Sequence, residues 1–244
     1  MKNIKLTIQY DGTNYCGWQK QKNGPSIQEE IEKAIFKVTG EKVNLIGAGR
    51  TDKGVHAQGQ VANFMTTSSI PADRFKYALN SKLPSDIKII ESQLVDKSFH
   101  SRYDALGKKY AYIIFNREIL NPLYRNYSYH IPYGLDYEKM KIAAEYFKGT
   151  HDFSAFMASN SSVKNTVRTI YDIDLKKDGE LIYISIKGNG FLYNMVRIIV
   201  GTLVEVGSGK LSPHSIASII ESKNRQKAGH TAPAKGLYLV EVYY

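Results

Sequence analysis

The 244-residue sequence predicts an α+β protein made of two ferredoxin-like α/β halves, and three observations point there. Stretches of period-two apolar alternation, such as KNIKLTIQY, are interleaved with stretches of helical period, such as IQEEIEKAIFKV. In the first hundred residues they follow the order β-α-β-β-α-β, the ferredoxin-like arrangement. A second, less regular series of the same segments fills the rest, with no long linker or low-complexity run between them. The mixed, mainly antiparallel sheets of two such halves could join into one surface with a groove across it.

Residues 3–10 form the first predicted strand, with Ile4, Leu6, Ile8 and Tyr10 on one face, ended by Asp11 and Gly12. Ser26 reads as an N-cap with Glu29 three residues on, a capping box. The apolar stripe Ile27, Ile31, Ala34, Ile35 and Val38 follows, and Gly40 ends the helix. Strands are predicted near 43–47 and 59–65, then a helix opened by Pro71 with Phe75, Leu79 and Leu83 inward, then a strand over 86–95. The second half begins with strands at 107–115 and 124–130 and a helix over 136–148 that buries Met140, Ala143, Ala144 and Phe147. Strands at 167–176 and 181–187 flank the turn Lys177-Asp178-Gly179. A strongly apolar helix covers about 190–206, another starts after Pro213, and 237–244 reads as a closing strand. The halves divide at 1–104 and 105–244.

Composition narrows the function. The formal charge is +10, with 33 Lys and Arg against 23 Asp and Glu, and Tyr occurs 18 times. Excess cations attract polyanions, and aromatic rings can stack on bases. The single cysteine, Cys16, excludes an internal disulfide and argues for a reducing, cytoplasmic setting. No run of eighteen apolar residues suggests a membrane span, and the N-terminal stretch lacks a signal-peptide core. The six histidines are scattered, with no pair at ligand spacing, so no metal is expected.

The segment GAGRTDKGVHAQGQ, residues 47–60, links two predicted strands by a glycine-rich connection far longer than a hairpin needs. It is not a P-loop, because Val55 and His56 follow Gly54 where Lys and Ser or Thr should stand. It is not a dinucleotide fingerprint, because Asp52 takes the place of the third glycine. A nucleotide cofactor is therefore not expected. Arg50 and Lys53 flank Asp52 and would hold it ionised, as a base or a nucleophile. The alternative is an aspartate that merely caps its own turn.

Two further features bear on Asp52. Arg197 sits in MVRIIVG, with apolar neighbours on both sides. Either it reaches solvent along its stem, or it is paired, since a buried unpaired guanidinium is very costly. Asp52 is the natural partner. In KKYAYIIF, Tyr110 and Tyr112 share a strand face with Lys108, as cross-strand packing or as a surface for a flat ring. Upstream, FHSRYDALGKK adds His100, Arg102, Lys108 and Lys109, a phosphate-binding run or a solvated loop.

Together GRTDKGVHA, FHSRYDALGKKYAYII, GNGFLYNMVRIIVG and APAKGLYLVEV resemble the TruA family of tRNA pseudouridine synthases, from IQYDGTNYCGWQ to the last strand. The resemblance implies two RRM-like halves around a central RNA-binding cleft. It implies isomerisation of uridine to pseudouridine at positions 38, 39 and 40 of the tRNA anticodon stem-loop, without a cofactor, by a cytoplasmic homodimer. Asp52 matches the family's essential aspartate, which attacks C1′ or C6 or deprotonates the sugar to a glycal. Tyr110 resembles the tyrosine that stacks on the target ring, and Arg197 the arginine that pairs with the aspartate. Arg50 resembles the arginine that helps extrude the nucleotide, and Leu237 the apolar residue bordering the uracil pocket. Lys53, His56, His100, Arg102, Arg168 and Asn194 complete the candidate substrate contacts. Lys108-Lys109 stand where arginines are frequent, which keeps charge but loses bidentate phosphate geometry. A non-catalytic tRNA-binding protein on the same scaffold is the alternative.

Overall fold

A computed structural model of the chain describes residues 1–159 and 163–244. The protein is α+β, and it divides into two compact units, Met1–Leu106 with Tyr238–Tyr244, and Gly107–Leu237.

The first unit opens with β1 (Lys2–Tyr10), α1 (Ile27–Thr39), β2 (Ile46–Gly47), β3 (His56–Thr66), α2 (Phe75–Asn80) and β4 (Ile87–Val95). β4, β1, β3 and β2 lie side by side in that order, every neighbour antiparallel, with Leu6 opposite Ala62 on one side and Ser92 on the other. Ile4, Leu6 and Ile8 are fully buried, as are Ile27, Ile31 and Ile35 of α1. Phe75 of α2 meets Phe64 of β3 edge-on at 5.6 Å. The Ser26 hydroxyl accepts from the Glu29 N–H at 3.3 Å, a cap worth about 1 kcal/mol. Gly40 closes α1 in the left-handed conformation.

The strand expected over 43–47 is only two residues long. Side chains of α1 take the backbone groups a strand partner would need: Leu45 N–H donates to Glu32, and Leu45 O accepts from Gln28. β3 starts at His56 rather than 59, so the glycine-rich connection spans 48–55. After Pro71 a 3₁₀ turn, Ala72–Arg74, precedes α2, and Leu83 lies beyond the helix.

The second unit holds β5 (Gly107–Asn116), β6 (Tyr129–Ile131), α3 (Tyr137–Glu145), β7 (Gly149–Asp152), β8 (Val167–Asp178), β9 (Leu181–Gly188), α4 (Met195–Gly207) and α5 (Ser215–Ser222). β5, β9, β8 and β7 are consecutive antiparallel neighbours, and β6 pairs with β5 in parallel. Tyr110 stands opposite Ile186 and Tyr112 opposite Ile184. Among the described residues only a 3₁₀ turn, Ser154–Phe156, and no α-helix lies within the β7-β8-β9 meander, so this unit departs from the strand order of the first. α3 packs on α4, whose residues are almost all buried.

Three elements differ from expectation here, the first being β7, where no strand was expected. The strand over 124–130 shrinks to β6, because Asn121 caps a 3₁₀ turn, Pro122–Tyr124, by accepting from Leu123 N–H at 3.0 Å. α4 starts at Met195, not 190, because Asn194 has φ 60° and ends the preceding loop.

The last strand, β10 (Leu237–Tyr243), runs parallel to the start of β3, with Tyr238 opposite His56 and Leu239 opposite Ala57. β2 borders β3 further along, at Ala62 and Asn63. That pairing places 238–244 in the first unit, where the sequence division had put them in the second.

Candidate active site

In the first unit, the loop 48–55 is held at several points. Ala48 N–H donates to Val61 O at 2.7 Å, and Gln60 Nε2 donates to Gly49 O at 2.8 Å. Thr51 is buried; its hydroxyl lies 2.7 Å from the buried Tyr10 hydroxyl, and its carbonyl accepts from Trp18 N–H at 3.0 Å. Burial pushes the Tyr10 phenol far above its usual range, so it stays neutral. Val55 N–H donates to Asp52 O at 3.1 Å, closing a tight turn around Gly54, whose φ of 78° suits glycine. Gly17 has φ 102°, and a Cβ there would strike the Thr51 carbonyl. The loop thus presses backbone to backbone against the 12–18 segment. Asp52 is partly exposed at the tip of this fixed turn, and Arg50 and Lys53 are exposed beside it in sequence.

His56, expected as a substrate contact, is instead buried at 2% exposure. Its ring stacks on Tyr238 at 4.8 Å, and Nδ1 lies 3.1 Å from both the Gly12 N–H and the Asp11 carboxylate. It therefore braces the base of the loop. His100 and Arg102 lie in the same unit, in the turn after Phe99, where Arg102 is exposed.

In the second unit, Arg197 projects from the first turn of α4. Its Nε donates to Ala232 O at 2.7 Å and its Nη1 to Asn194 Oδ1 at 2.7 Å. Asn194, also expected as a substrate contact, thus has its side-chain oxygen committed to orienting the arginine. Arg197 answers the need of a cation among apolar residues with polar partners. Tyr110, 8% exposed, meets Phe191 edge-on at 5.2 Å. Tyr112 is fully buried, and its hydroxyl donates to Pro233 O at 2.6 Å. Burial drives the Tyr112 phenol well above its ordinary value, while the positive charge of Arg197 pulls the other way. Leu237 is buried at the start of β10. Arg168 donates to the Asn165 and Val167 carbonyls, and burial lowers its pKa.

The same segment, 232–237, therefore supplies the Ala232 and Pro233 carbonyls and Leu237. Ala232, Pro233 and Phe191 were not among the sequence candidates. The signals for them were the separate runs APAKGL and GNGFLYN, since a backbone acceptor has no residue-type signature.

The sequence pattern of the family described as tRNA pseudouridine synthase matches residues 6–104 and 143–244. The chain belongs to that family. It is 61% identical over 244 residues to the tRNA pseudouridine synthase A of Acetivibrio thermocellus, covering all of both chains. It is 57% identical to that of Thermoanaerobacter sp. strain X514, again over the full length of both. The protein of the same name from Ruminiclostridium cellulolyticum is 54% identical over 245 residues, with both chains fully covered. Both segments built above, the Asp52 loop and the start of α4, fall inside the matched ranges of this family. Tyr110 falls between them. Among the described residues, no group of three or more His, Cys, Asp or Glu is placed to hold a metal ion, and no helix is long and apolar enough to cross a membrane.

Proposed function

We propose that this protein isomerises uridine to pseudouridine at positions 38, 39 and 40 of the tRNA anticodon stem-loop, with Asp52 as the catalytic carboxylate. The reaction balances without a co-reactant: the N1–C1′ bond breaks, a C5–C1′ bond forms, C5 loses its proton and N1 gains one. Asp52 serves it by attacking C1′ or C6, or by taking a proton from the sugar. On this reading Arg197 is the cation that the sequence pairs with Asp52, and Tyr110 is the tyrosine that stacks on the uracil. A base in a stem must leave the stack before it can be reached, at a cost of a few kcal/mol. Arg50, exposed and two residues from Asp52, is suited to fill the gap it leaves. Leu237 borders the uracil. Lys53, Arg102 and Arg168 carry charge toward the phosphates, His100 contacts the RNA backbone beside them, and the protein works as a cytoplasmic homodimer.

The observation that carries this reading is identity of 51–61% with family members along the whole chain, with Asp52 at the tip of a loop braced by buried groups. The test is Asp52→Asn. Pseudouridine formation should fall below detection while most of the tRNA affinity remains. A variant with near-normal turnover would overturn the assignment. A wild-type protein that binds tRNA but forms no pseudouridine would support the non-catalytic alternative. Mapping pseudouridine in total tRNA with and without the protein tests the site, and loss confined to 38–40 is the expected result.

A further inference from the structure

Tyr103 has no role in the chemistry above, yet it is 75% exposed on a turn whose flanks are firmly fixed. Phe99 O accepts from Asn3 Nδ2 at 2.9 Å, and buried Ser101 is held through N–H to Asn63 Oδ1 at 2.9 Å. Ser101 also donates its hydroxyl to Ile46 O at 2.5 Å and accepts at its carbonyl from Tyr244 Oη at 2.7 Å. The turn is then closed on His100. The N–H groups of Tyr103 and Asp104 donate to His100 O at 3.1 Å. His100 N–H donates to the Asp104 carboxylate at 2.9 Å. His100 Nδ1 lies 3.2 Å from both the Arg102 and the Tyr103 N–H, so it acts as acceptor. The Tyr103 ring lies on the His100 ring, centroids 4.2 Å apart and 28° from parallel, and the Arg102 guanidinium stands 5.7 Å from its centre.

An aromatic ring backed by a second ring on an anchored turn loses little freedom when it is covered. The ring is apolar and three-quarters exposed, and the guanidinium that stands over it is cationic. That pairing of a flat ring with a guanidinium suits an unpaired nucleotide, whose base stacks and whose phosphate takes the charge. The chain's net charge of +10 favours RNA over a second protein surface. We propose that Tyr103 is a stacking platform for an unstacked base of the tRNA other than the target uridine, with Arg102 on a neighbouring phosphate. This rests on the tRNA substrate proposed above, and it assigns Tyr103 a role in binding, not in chemistry.

The experiment measures tRNA affinity across a series of salt concentrations for the full-length wild type, Tyr103→Phe, Tyr103→Ala and Arg102→Gln. Tyr103→Phe should bind within about twofold of wild type. Tyr103→Ala should bind about tenfold more weakly, the scale of one lost base–ring stack, with the slope of log affinity against log salt unchanged. Arg102→Gln should lower that slope by about one phosphate contact. Saturating tRNA should restore the wild-type turnover of Tyr103→Ala, and its thermal unfolding should match wild type, since the ring is exposed. Three results would overturn the platform: wild-type affinity in Tyr103→Ala, a changed salt slope in it, or a change in its oligomeric mass, which would make this face a contact between copies. Wild-type pseudouridine formation, measured on the same preparation, separates failure of the platform from failure of the substrate assignment.

Discussion

Arg197 and Ala232 bond each other twice: the arginine Nε donates to Ala232 O at 2.7 Å, and Ala232 N–H donates back to Arg197 O at 3.1 Å. A backbone segment thus aims the guanidinium in the same stroke that it docks on α4. Neighbouring Pro233 O takes the Tyr112 hydroxyl, so side chains from β5 and α4 meet the carbonyls of two adjacent residues.

Arg197→Lys should keep the charge and lose the geometry. An ammonium on a flexible stem cannot satisfy Ala232 O and Asn194 Oδ1 from a planar fork. Misplacement of a catalytic group by about 1 Å can cost on the order of 100-fold in rate. Pseudouridine formation at saturating tRNA should drop by about that factor, while far-UV circular dichroism stays as in wild type. A rate within threefold of wild type would show that charge alone suffices.

Asn194 combines a left-handed backbone with a bond to Arg197, and two substitutions separate them. Asn194→Gly keeps φ 60° accessible and removes only the bond, so it should cut turnover with little loss of stability. Asn194→Ala also forces a methyl-bearing residue into that conformation, at a further cost of about 1–2 kcal/mol. Denaturant unfolding of the pair reads the difference. Equal stability of the two would sink the backbone part of the explanation.

Gly17→Ala tests whether the Asp52 loop depends on its backbone neighbour. The residue has φ 102°, and its new Cβ would meet Thr51 O, so strain of about 1–3 kcal/mol is expected along with movement of the loop. Melting temperature and turnover should fall together, with turnover falling further than the loss of folded protein explains. Normal turnover in a folded Gly17→Ala variant would mean that the loop adapts.

What the sequence showed and what it hid follow from where the information lies. α1 was legible because Ser26 and Gly40 are local signals that act as expected at its ends, although the Glu29 side chain pairs with Lys33 at 3.1 Å and leaves the capping box half made. Arg197 stood out as a lone cation in an apolar run. The 43–47 strand was misread because Gln28 and Glu32, far along the chain, claim the Leu45 backbone. β7, with the sequence GTHD, has no apolar alternation and exists only by pairing with β8. His56 looked like a loop histidine; its burial depends on Tyr238, which is remote in sequence. The Ala232 and Pro233 acceptors are main-chain atoms, which no pattern of side chains announces.

Asp152 offers a stability test of the second unit, separate from catalysis. The Thr166 hydroxyl at 2.6 Å is the main cause that lowers its pKa, helped by Lys223 at 3.1 Å and the Ser154 N–H, and the carboxyl falls from 3.8 to about 2. A carboxylate depressed on folding binds fewer protons in the folded state, so it adds stability at pH values above its unfolded pKa. That contribution is complete at neutral pH and is lost as pH falls from near 3.8 through about 2. Asp152→Asn keeps an acceptor oxygen but not the charge. It should therefore be less stable than wild type in urea at pH 7, and the gap should narrow between pH 4 and pH 2.5. A gap of constant size across that range would show that the ionised form is not what Thr166 and Lys223 hold.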